Sequence, residues 1–198
     1  MRFSYNKLHY ISVMKYFFFS ILLFITNILF AKEGEVNILF SLESSEDWQF
    51  ISDRTMGGVS DGQAFVDKDG DLFFARLIGN VSTDNNGGFI QLRSGVSFSN
   101  SEKDGKNLRG VRLNVRGNGE TYYIHIRTNE SWSPSDYYST TFIADSEWKM
   151  IDLPFNIFER RWSNDSSLDA KKIRSFGIVA YGRDYISDVS VSTIEFYY

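Results

Sequence analysis

Two glycine pairs carry most of the chemical information in this chain, together with an Asp-Arg step before the first and an arginine after the second. Gly57-Gly58 lies in the run Trp48-Gln49-Phe50-Ile51-Ser52-Asp53-Arg54-Thr55-Met56-Gly57-Gly58-Val59-Ser60. Gly87-Gly88 lies in Asn85-Asn86-Gly87-Gly88-Phe89-Ile90-Gln91-Leu92-Arg93-Ser94. Glycine-rich loops hold phosphate when their N–H groups converge at a helix N-terminus. Both pairs here sit among apolar, strand-like runs and neither opens a helix. They therefore read as turns or bulges where backbone takes a positive φ or passes close to another group.

Catalytic chemistry finds little to use. The chain has two histidines, His9 and His125, and only His125 lies beyond the apolar N-terminal stretch. A Ser-His-Asp triad would need His125 as its base, yet no nucleophile-elbow sequence accompanies it. There is no cysteine, no His-x-x-x-His pair and no Walker-type loop. No catalytic residue, metal ligand set or cofactor site is expected, and the chain reads as a non-enzyme. Asp67, Asp69 and Asp71 resemble a fragment of a calcium loop, but Ile78 stands where its closing glutamate belongs. A solvated turn is the simpler reading.

Binding chemistry has more material. Val111, Leu113 and Val115 alternate with Arg112, Asn114 and Arg116, and Tyr122, Ile124 and Ile126 alternate with Tyr123, His125 and Arg127. Gly117-Asn118-Gly119 between these runs has the composition of a tight turn, so the two predict a hairpin. Its outward face would present Arg112, Asn114, Arg116, Tyr123, His125 and Arg127, a set able to grip a carboxylate, a sugar or a protein. Ordinary polar alternation on a solvent face is the plain alternative. Trp132, Tyr137, Tyr138 and Trp162 form a second candidate surface of loop aromatics, whereas Trp48 and Trp148 fall in strand patterns and are expected inside.

The elements that must position these residues are strands. Further candidates are 37–42, 48–51, 63–66, 72–78, 89–93, 137–143, 148–153, 175–181 and 189–197, separated by turn clusters such as Asp67-Lys68-Asp69-Gly70. Only 154–158 and 167–172 suggest a helical turn. Many short strands with frequent turns indicate an all-β sandwich or barrel.

At the N-terminus, Arg2, Lys7 and Lys15 precede an uncharged apolar stretch from Tyr16 to Phe30, followed by Ala31. A basic start, an apolar run and a small residue describe a signal peptide over residues 1–31, with 32–198 as one mature domain. The expected location is periplasmic or secreted, with no stable membrane span once the signal is cleaved; an uncleaved N-terminal anchor is the alternative. Removing three of the 21 basic residues leaves 18 against 25 acidic ones, a formal charge of −7. Such a balance disfavours nucleic acid, which needs clustered positive charge. Without disulfides the core must hold alone, and 17% aromatic content makes that feasible.

The runs around the glycine pairs resemble the family of the mitochondrial complex I (NADH:ubiquinone oxidoreductase) intermediate-associated protein 30. The similarity lies in Trp48, Asp53, Arg54, Met56, Gly57, Gly58 and Ser60, then Gly87, Gly88, Phe89 and Arg93. It continues through the segment 108–119, where Asn118 replaces the family's usual Asp, and through 122–127, 147–155 and 173–178. The resemblance implies a galactose-binding-like jelly roll of two antiparallel sheets. It identifies the chain as an exported bacterial member and the motif residues as structural. It also implies a protein partner and assembly or chaperone-like work on an envelope protein. The jelly roll alone suggests carbohydrate binding as the alternative.

Overall fold

The computed structural model describes residues 37–40, 48–96, 108–163 and 167–198, with the backbone alone for 37–40. The expected signal peptide and the start of the mature domain lie outside the described residues. Among the described residues no helix is long and apolar enough to cross a membrane.

Twelve strands are described: β1 (Asn37–Phe40), β2 (Gln49–Ser52), β3 (Asp61–Asp69), β4 (Leu72–Val81), β5 (Phe89–Gly95), β6 (Gly110–Gly117), β7 (Thr121–Thr128), β8 (Tyr138–Ile143), β9 (Lys149–Pro154), β10 (Glu159–Arg160), β11 (Ile173–Tyr181) and β12 (Tyr185–Tyr197). They form two antiparallel sheets. Sheet A runs β3-β4-β12-β6-β9, with β1 also on β12, and sheet B runs β10-β8-β7-β11-β5-β2. This is the all-β jelly-roll sandwich the sequence implied.

Alternation explains why the sheets pack. Val111, Leu113 and Val115 of β6 face inward with Val189, Val191, Ile194 and Phe196 of β12. From sheet B they meet Tyr122, Ile124 and Ile126 of β7 and Phe176, Ile178 and Ala180 of β11. Trp48 is also in this core, its ring edge-on to Phe176 at 6.1 Å.

One expectation fails. β6 and β7 are not a hairpin, because β6 belongs to sheet A and β7 to sheet B. Gly117-Asn118-Gly119 is an arch between the sheets. The Gly117 and Gly119 amides donate to the carbonyls of Asp145 and Ala144, at 2.6 and 2.7 Å. Asn118 Nδ2 donates to Ile186 O at 2.8 Å, and the Tyr122 hydroxyl donates to Asn118 Oδ1 at 2.7 Å. Trp148 also departs from expectation. It lies half-buried on the outside of sheet A, in a cluster with the Arg116 guanidinium (4.7 Å) and the Phe74 ring (5.4 Å).

Candidate functional site

Asp53 joins the two glycine pairs. Its side chain is fully buried and accepts from Ser60 N (3.0 Å), the Ser60 hydroxyl (2.5 Å), Gly88 N (2.6 Å) and Phe89 N (3.2 Å). Burial pushes this carboxyl up, but the Ser60, Gly88 and Phe89 donors outweigh it and hold it below the usual carboxylate range. A Cβ on Gly58 would lie 2.4 Å from Asp53 Oδ1, and one on Gly87 2.4 Å from Oδ2. The glycines are therefore absences of side chain that let two turns close on one carboxylate. Arg54 is exposed, donating to Ser60 O at 3.1 Å and pairing with Asp61 at 3.6 Å. Met56 and Gly57 are exposed, Gly57 at φ 91°. Arg93 is not part of this corner and points outward from β5. The hydrogen bonds of the carboxylate all close on the chain itself and leave no room for substrate.

The six residues expected on one outward face are divided three and three between opposite sides of the sandwich. Arg112, Asn114 and Arg116 lie on the outside of sheet A, where their polar groups are already used. Arg112 grips Asp152 with two bonds (2.7 and 2.9 Å) and reaches Glu195 at 3.5 Å. Arg116 pairs with Asp69 at 2.9 Å, and Asn114 donates to Ser192 at 2.7 Å. Arg76 binds Asp188 bidentately over a shallow depression of about 600 Å³ lined also by Asp61, Gln63 and Asn80. Each arginine here is neutralised in place. Asp69, from the calcium-loop-like fragment, belongs to this network, and among the described residues no cluster of acidic, histidine or cysteine groups could hold a metal.

Tyr123, His125 and Arg127 lie on the outside of sheet B, in a different setting. Register aligns Arg93, Gly177, His125 and Ser139 across β5, β11, β7 and β8, with Gln91, Val179, Tyr123 and Thr141 in the next outward row. His125 is buried, stacked on Tyr137 at 3.8 Å with ring planes 15° apart and edge-on to Tyr181 at 5.7 Å. Burial first, then the charges of Arg127 and Arg161, push it down to about 3. It is a neutral imidazole, unsuited to act as a base near neutrality. Arg161 lies over Tyr137, Trp162 and Tyr181 at 5.4, 5.0 and 5.8 Å, and its Nη1 donates to the Tyr137 hydroxyl at 2.6 Å. Burial and Tyr181 push the Tyr137 phenol up to about 12.

Three buried polar atoms of this face have no hydrogen-bond partner: Gln91 Oε1, His125 Nε2 and Arg127 Nη1. The rest of the Arg127 guanidinium donates twice to Pro134 O, at 3.0 and 2.7 Å. Among the described residues, no carboxylate pairs with Arg93, Arg127, Arg161 or Arg174.

The loop aromatics also divide. Trp132 and Trp162 are 76% and 60% exposed, Tyr137 is buried beneath Arg161, and Tyr138 belongs to the core. Sequence reasoning missed Gln91, Arg161, Arg174 and Tyr181. The alternation of Ile90 and Leu92 already placed Gln91 and Arg93 outward, as that of Phe176, Ile178 and Ala180 placed Tyr181. What it could not show was that β5, β11 and β7 are adjacent.

The family model of the complex I intermediate-associated protein 30 matches residues 38–188. No curated protein matches the chain. Among solved structures, the chain is similar to a family 11 carbohydrate-binding module from Clostridium thermocellum in complex with a β-1,3-1,4-mixed-linked tetrasaccharide. The TM-score is 0.64 at 17% identity, covering 81% of this chain and 94% of that one. A family 30 carbohydrate-binding module of a cellulosomal cellulase of Clostridium thermocellum matches at TM-score 0.53 and 13% identity, covering 76% and 91%. These likenesses establish the galactose-binding-like fold.

Proposed function

Because this chain belongs to the complex I intermediate-associated protein 30 family, we propose that it is a non-catalytic binding module that assists assembly or stability of a protein partner. The outside of sheet B is its contact surface. The observation that carries this reading is the gathering of Tyr123, Tyr137, Tyr181, Trp162 and Arg161 on one face. Tyr, Trp and Arg are the residue types that dominate protein–protein hot spots. On sheet A the outward arginines are instead taken up by internal ion pairs.

Affinity capture with the full chain tests it. The wild type and Arg112→Gln are expected to retain one partner that an Arg161→Ala/Tyr181→Ala variant loses. Equal recovery by all three would sink the proposal. The partner is proposed to be an envelope protein, in keeping with export of the chain. Mass spectrometry of the purified protein is then expected to find an N-terminus near Lys32, and an intact Met1 or Met14 would overturn export.

Carbohydrate is the second reading, favoured by the exposed rings of Trp132 and Trp162 and by the ligand of the family 11 neighbour. Saturable binding on a glycan array, abolished by Trp132→Ala and Trp162→Ala, would replace the first reading with this one.

A further inference from the structure

The cationic groups of the two outer faces are treated oppositely, although the chain is acidic overall at −4. On sheet A, Arg76, Arg112 and Arg116 each hold a carboxylate at 2.9 Å or less. On sheet B, Arg93, Arg127, Arg161 and Arg174 hold none, among the described residues. Arg127 is only 7% exposed, bonds a single carbonyl and leaves Nη1 unbonded. Burial and then the charge of Arg93 hold the Arg127 guanidinium below its ordinary range, and Arg174 adds to this. A buried guanidinium beside other cations, with a free N–H, is stabilised by an incoming anion.

We propose, resting on the protein-binding reading above, that sheet B is a docking site for an acidic protein segment whose carboxylates pair with Arg93 and Arg174, beside the buried Arg127. Three observations favour a peptide with several carboxylates. First, Arg93, Arg127 and Arg174 come from three different strands, β5, β7 and β11, so the positive charge is spread across the face and not gathered at one point. Second, Tyr123, Tyr181 and Arg161 flank the cations on the same face, residue types suited to contact with protein. Third, the Tyr137 ring at the centre of this face is not open for a neutral sugar to stack on. Tyr137 has His125 against it at 3.8 Å and the Arg161 guanidinium at 5.4 Å.

Gly177 shapes this surface. It stands between Arg93 and His125 in the row and adds no side chain over β11. A Cβ there would touch Gln91 Oε1 at 3.4 Å and Arg93 Cβ at 3.8 Å, ordinary contacts that leave the strand foldable. A leucine at the same position would project onto the surface between the cations.

The test is calorimetric titration of the full chain with a hexaglutamate peptide, in low salt and again near physiological salt, where screening shortens to about 8 Å. Saturable binding is expected, weakened at least tenfold by Arg93→Gln/Arg174→Gln and by Gly177→Leu, retained by Arg93→Lys/Arg174→Lys, and unchanged by Arg112→Gln. Circular dichroism checks that each variant is folded. Absence of saturable hexaglutamate binding, or equal affinity in the glutamine double variant, overturns the proposal. So does binding of oligogalacturonate in preference to hexaglutamate, which would make the ligand an acidic saccharide. If the captured partner is lost by Arg161→Ala/Tyr181→Ala yet kept by Arg93→Gln/Arg174→Gln, protein binding stands and the acidic segment falls.

Discussion

Replacing Asp53 with alanine is expected to cost about 3–5 kcal/mol of folding stability, a large share of a typical domain's total. Four hydrogen bonds to a buried carboxylate disappear together. The amides of Ser60 and Gly88 then lose their acceptor while staying buried. Asp53→Asn would not rescue the site, because the new amide turns donors toward N–H groups that need acceptors. Gly58→Val is expected to fall in the same range by the reverse route. It leaves the carboxylate present but places a branched side chain where even a Cβ lies 2.4 Å from Oδ1. Urea denaturation of each variant measures the loss. A midpoint equal to the wild type's in either, with binding lost, would make this corner functional and not structural.

Acid is expected to weaken the fold through His125, with a second large effect. The unfolded imidazole titrates at 6.5 and the folded one at about 3. Below 6.5 the unfolded chain therefore binds a proton that the native site refuses. Stability rises with pH across this window, is complete above 6.5, and is lost progressively as pH falls toward 3. Between pH 7 and pH 5 the loss from this group is about 2 kcal/mol, at roughly 1.4 kcal/mol per unit. His125→Phe keeps a ring on Tyr137 and removes the titration, so its stability should stay nearly flat over the same interval. Denaturation curves at about pH 7, 6 and 5 compare the two. An equal decline in both proteins would assign the acid sensitivity elsewhere.

Much of the scaffold was legible because strand alternation is a local signal. The candidate segments at 72–78, 110–116, 121–127 and 175–181 lie within β4, β6, β7 and β11. The family motif placed Asp53 at a turn, though not the fact that one carboxylate serves both glycine pairs, which depends on β2 and β5 being neighbours. The arch at Gly117-Asn118-Gly119 was not legible. A glycine-rich turn between two alternating runs has the same composition whether the runs pair with each other or cover opposite walls. Its partners, Ala144, Asp145 and Ile186, lie far along the chain. For the same reason the candidate face divided. Arg112 and His125 alternate outward alike, yet outward has opposite directions on the two sheets.

The position of β12 bears on when this protein can fold. It is the strand on which β1, β4 and β6 all assemble, and β3 and β9 reach sheet A only through β4 and β6. Its contacts close loops as long as the 159 residues that separate Asn37 from Phe196. Because β12 joins β4 to β6, sheet A is completed only once β12 is present, and such long-range closure is slow. Until then the strands of sheet A that pair with β12 lack that partner, whereas sheet B is built without it. Unpaired strand edges are prone to aggregate, so the interval before β12 docks is the vulnerable one in the folding of this sandwich.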